Sequence, residues 1–105
     1  MSVHHKTLAA GRWHTFTLAE QLGNAGSEFS RAVSWSKRGD KGKSELAAAR
    51  FFELMDLTLA DPRWQGARRR ELARLREQAG EELRLPFPTL QRYFDHFAIL
   101  ARSKR

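Results

Sequence analysis

The chain has 105 residues, 41% of them hydrophobic and 30% charged, which suits one enclosed core and excludes a disordered or fibrous polymer. It contains no Cys, so disulfides, thiolate metal sites and cysteine nucleophiles are excluded. A net charge of +7 and a pI near 10.8 favour anionic partners, nucleic acid or acidic protein faces.

No apolar run approaches the ~18 residues of a membrane span. The opening MSVHHKTLAAGRWH lacks the apolar core of a signal peptide. The expectation is a cytoplasmic protein with no membrane partner. Residues 1–16 carry no periodicity and read as an N-terminal arm, with Trp13 and Phe16 large enough to dock on a core. Residues 17–105 read as one helical domain.

The first predicted helix opens at Thr17, where Thr17-Leu18-Ala19-Glu20 fits a capping box. Leu18, Leu22, Ala25, Phe29 and Ala32 follow at helical spacing and form its apolar seam. Beside the seam runs a strip of small residues, Ala19, Gly23, Gly26 and Ser30. An interior glycine costs a helix about 1 kcal/mol relative to Ala. Two of them one turn apart therefore point to close packing by a neighbouring helix. Gln21, Asn24, Glu28, Arg31 and Trp35 fall on the remaining, outward face, with Trp35 either docking the arm or offering a contact.

SKRGDKGKS, residues 36–44, reads as a turn, with Ser44 as the cap of the second helix. That helix, ELAAARFFELMDLTLA, has a wide apolar arc of Ala47, Ala48, Phe51, Phe52, Leu54, Met55 and Leu59. An arc so broad touches two neighbours, which makes this helix central. Asp61-Pro62 stops it, and Asp61 caps the short turn Pro62-Arg63-Trp64. The third helix, ARRRELARLREQAGEEL, buries only Leu72, Leu75, Ala79 and Leu83. LPFP, residues 85–88, breaks the chain before a last helix, TLQRYFDHFAILAR, with Leu90, Tyr93, Phe94, Phe97 and Ala101 on one side. The predicted fold is all-α, a compact antiparallel four-helix bundle with an N-terminal arm.

LAEQLGNAGSE, LMDLTLADPRW and RRRELARLRE together resemble a group of short bacterial helical proteins. That group shares an L-G-N-x-G-S-E stretch, a D-L-T-[IL]-A-D-P segment and a charged L-x-R-[LV]-R-E helix. The resemblance runs from about Trp13 to Phe97 and implies a single helical domain; it brings no activity with it. In size, charge and helical content the chain is also similar to the accessory bundle protein of diversity-generating retroelements, which binds RNA and a reverse transcriptase.

Residues that could carry chemistry are few. His4 and His5 are adjacent in the arm, and adjacency does not preorganise a metal site. Arg92 and His96 share the last helix, but the ribonuclease motif of HEPN bundles needs a longer spacing than the three residues of RYFDH. Glu20, Glu28, Glu53 and Asp56 lack the Glu-x-x-His pairs of a bundle metal site. No Gly-rich phosphate loop or nucleophile elbow is present. The chain is therefore expected to be no enzyme, with no metal and no cofactor.

The basic surface remains. Arg63, Arg68, Arg69, Arg70, Arg74 and Arg76 crowd the third helix and its approach, and Trp64 adjoins them. Guanidinium forks suit bidentate phosphate contacts, and an indole can stack on an unpaired base. Interleaved Glu71, Glu77, Glu81 and Glu82 allow the other reading, a solvated salt-laced face. RNA or another nucleic acid is the expected partner, bound through phosphate and shape rather than base readout. The alternative is a protein-interaction module or homo-oligomer that pairs through the small-residue face of the first helix.

Overall fold

A computed structural model describes residues 11–83. The expected LPFP link and last helix, with Arg92 and His96, lie outside the described residues, as do His4 and His5.

The described chain is helical throughout. After a short helical stretch at residues 11–13, α1 spans Leu18–Lys37, α2 Lys41–Leu59 and α3 Gly66–Glu82. The capping box at the start of α1 forms in both directions: the Thr17 hydroxyl accepts from the Glu20 amide at 3.0 Å, and the Thr17 amide donates to Glu20 Oε1 at 2.9 Å.

The second helix starts earlier than the sequence suggests. Asp40, not Ser44, is its cap, accepting from the Lys43 amide at 3.0 Å. Only residues 38–40 are needed to turn the chain, because Gly39 takes a φ of 81° and its amide bonds back to Ser36 O. Ser44 instead donates its hydroxyl to Ala32 O at 2.8 Å and ties the two helices together.

The pairs Ala32–Ser44, Glu28–Arg50 and Gln21–Asp61 run in opposite senses, so α1 and α2 form a helical hairpin. Between them Phe29 and Phe51, both fully buried, meet edge to face at 5.6 Å. Leu22, Ala25, Phe29, Phe51 and Met55 join Leu72, Leu75 and Ala79 of α3 in one core. The helix expected to be central is so placed: α2 packs on both α1 and α3. Helix α3 returns along α2, pairing Arg76 with Asp56 and bringing Gly80 to the Phe52 ring.

Within α1, Gly23 and Gly26 are buried, while Ala19 and Ser30 are half-buried. Trp13 docks as expected and is 6% exposed. Gln21 overturns the expectation of an outward face, for its side chain is completely buried. The reason is chemical: every polar group on its amide has a partner.

Candidate nucleic-acid interface

Residues 11–17, the start of α1 and the link between α2 and α3 converge at one end of the hairpin. Gln21 stands at the centre. Its Nε2 donates to Trp13 O and to Asp61 Oδ2, both at 2.9 Å, and its Oε1 accepts from Trp64 Nε1 at 2.9 Å. Trp13 Nε1 donates to the Thr58 hydroxyl at 2.9 Å, and that hydroxyl donates to Leu54 O. His14 Nε2 meets Leu57 O at 3.1 Å and must carry the proton there, since a carbonyl can only accept.

Asp61 is buried yet remains a carboxylate. It accepts from the Arg63 amide at 3.0 Å, as the expected cap of the 62–64 turn, and from the Arg63 side chain, whose Nε reaches both carboxylate oxygens at 3.0 and 3.2 Å while a terminal nitrogen donates to Oδ2 at 2.7 Å. The hydrogen-bonded Arg63 guanidinium holds the Asp61 carboxyl well below the usual carboxylate range, outweighing the opposing effect of burial. Asp61 in turn raises the Arg63 pKa. Arg63 also donates to Phe16 O at 2.6 Å and lies 4.6 Å from the Trp64 ring centre.

Two of the predicted phosphate-site residues are thus occupied in tying down the link before α3, Arg63 to residues 11–17 through Phe16 O and Trp64 to α1 through Gln21. Arg76 is engaged too: its Nε lies 2.7 Å from Asp56 Oδ1, off-line for a hydrogen bond, and a second nitrogen donates to Oδ2 at 3.3 Å. Its guanidinium covers the Phe52 ring at 4.8 Å.

Arg68, Arg69, Arg70 and Arg74 are placed differently. All are exposed, and among the described residues no ion pair involves any of them. Arg68 and Arg69 stand in the first turn of α3, which holds no acidic residue, and Arg70 directly follows it, while the last turn holds no basic residue. That order opposes the helix macrodipole, which favours acids at the N-terminus and bases at the C-terminus. The N-cap, Gln65, makes no side-chain cap bond either, since its amide donates to Pro62 O. Backbone amides and guanidinium groups therefore concentrate positive potential at one end of α3.

Neither family models, nor curated proteins, nor solved structures give a match to this chain. Among the described residues no three His, Cys, Asp or Glu side chains gather as a metal site requires, and no helix is long and apolar enough to cross a membrane. The sequence signals for Arg68–Arg70 and Arg74 were their number and spacing. Gln21 and Thr58 gave no such signal, because a polar residue on a helix acquires a buried partner only through tertiary contact.

Proposed function

We propose that this is a non-enzymatic, cytoplasmic helical-bundle protein that binds RNA or a ribonucleoprotein through the N-terminal half of α3, as an accessory subunit. In this reading the last helix completes an antiparallel four-helix bundle and the first residues form an arm on it. The observation that carries the proposal is the set of unpaired, exposed arginines at an uncapped helix start. A solvated face built for stability would place acids there, as the macrodipole favours. Arg68, Arg69, Arg70 and Arg74 contact phosphates, while Arg63, Trp64 and Arg76 hold the helix in position.

Salt dependence tests it. Log K for single-stranded RNA should fall steeply with log salt, and replacing Arg68, Arg69 and Arg70 with Ala should reduce the slope by about two. Binding insensitive to salt or to these changes would sink the proposal. The protein should also carry nucleic acid through purification and release it in a high-salt wash, seen as a fall in the 260/280 nm absorbance ratio. The alternative, self-association through Ala19, Gly23, Gly26 and Ser30, has less support. Both glycines are already buried within one chain, which favours close packing inside it.

A further inference from the structure

A second cationic feature sits at the other end of the hairpin. Lys37, Arg38 and Lys43 are exposed at the corner between α1 and α2, and among the described residues none of them has an acidic partner. The corner's one acid, Asp40, has its carboxylate committed to capping α2. Two of these cations lie over an aromatic ring: Lys43 Nζ is 4.4 Å and the Arg38 guanidinium carbon 5.2 Å from the centre of half-buried Trp35. Helix α3 runs back along α2, so its arginines lie at the far end of α2 from this corner. Nineteen residues of α2 at 1.5 Å each separate the two by about 28 Å.

We propose that the α1–α2 corner is a second contact for single-stranded nucleic acid, with a base stacked on Trp35 and phosphates neutralised by Lys37, Arg38 and Lys43. The inference rests on the reading of α3 as the first contact and extends it to a strand held at two points. An aromatic ring flanked by flexible cations is the arrangement that grips single strands: the ring accepts any base, and the cations swing from the ring to the flanking phosphates. A lipid surface is a poorer fit, because interfacial binding needs an apolar face. Leu46, 60% exposed, is the one large hydrophobic side chain that the described residues expose. At about 3.4 Å per nucleotide, a fully stacked strand needs about eight nucleotides to span that distance, which a strand of about twenty-four exceeds amply.

The test compares oligouridylates of about six and about twenty-four nucleotides on the whole chain, reading tryptophan fluorescence and salt slope. The short strand should quench the Trp35 signal, defined as the part lost in Trp35→Phe. Quenching should persist in the Arg68→Ala/Arg69→Ala/Arg70→Ala variant and vanish in Lys37→Ala/Arg38→Ala/Lys43→Ala. For the long strand, the lysine-corner variant should lower the salt slope by about two, at 0.7 per phosphate. Circular dichroism confirms that each variant is folded. If the arginine variant abolishes all binding while the corner variant binds like the parent, the second contact is overturned and the α3 reading stands. If the parent itself binds neither strand, both fall together.

Discussion

Gln21 shows how much one side chain can hold when it is buried with all its polar groups matched. Its amide bridges Trp13 O to Asp61 and Trp64, so that residues 11–17 and the link between α2 and α3 are both tied to α1. Replacing it with Met would fill similar volume but strand the Trp64 N–H and the Trp13 carbonyl and remove a bond from Asp61. Each stranded group costs about 1–3 kcal/mol, so Gln21→Met should lower unfolding stability by about 3 kcal/mol. Asn24, exposed and bonded only to Glu20 O of its own helix, is the control, and Asn24→Ala should change stability by less than about 0.5 kcal/mol. Urea midpoints of the two variants against the parent decide the point. Similar small shifts in both would mean that water replaces the buried partners without loss.

At the scale of elements, two glycines of α3 should respond to Ala with opposite signs. Gly66, the first residue of the helix, has a φ of 57°, where an L side chain is strained. Gly66→Ala should therefore cost about 1 kcal/mol. Gly80 is ordinary helix, and an added Cβ would meet only the far edge of the Phe52 ring, at 3.3 Å. Phe52 lines an open groove of about 780 Å³ between α2 and α3, so its ring can give way. Gly80→Ala should stabilise by about 0.5 kcal/mol, the helix propensity gained exceeding the small displacement. Thermal midpoints moving in opposite directions would bear this out; a loss in both would mean the Phe52 ring is fixed. The same elements show what sequence can disclose. The box at Thr17–Glu20 was legible because its donors and acceptors are local, and the apolar stripe of α3 because burial there is periodic. The start of α2 was not, since Lys41, Gly42 and Lys43 are all exposed and leave no hydrophobic mark. The position of the unpaired arginines could be read from spacing. The engagement of Arg63, Trp64 and Arg76 could not, because their partners lie on other parts of the fold or depend on how the chain turns.

For the whole molecule, the junction around Asp61 makes acid the condition that should test how residues 11–17 and the three helices are held together. In the folded chain Arg63 keeps Asp61 ionised well below its usual range, whereas in the unfolded chain the same carboxyl takes up a proton near pH 3.9. Below that pH the unfolded state binds more protons at this site, so stability falls as pH falls. The contribution is fully present above about pH 5 and is lost progressively toward the depressed folded-state value. Asp61→Asn lacks this proton uptake. It should be less stable at neutral pH by about 3 kcal/mol, because Arg63 loses its charge partner in a place where Asp61 is buried and the Asn amide presents donors to Gln21. Its stability should then decline less than the parent's between about pH 5 and pH 2.5, so that the two curves converge. Urea unfolding across that range measures both. Curves that stay parallel would show that Asp61 titrates alike in the folded and unfolded chains, and that the junction around Asp61 is not what acid releases.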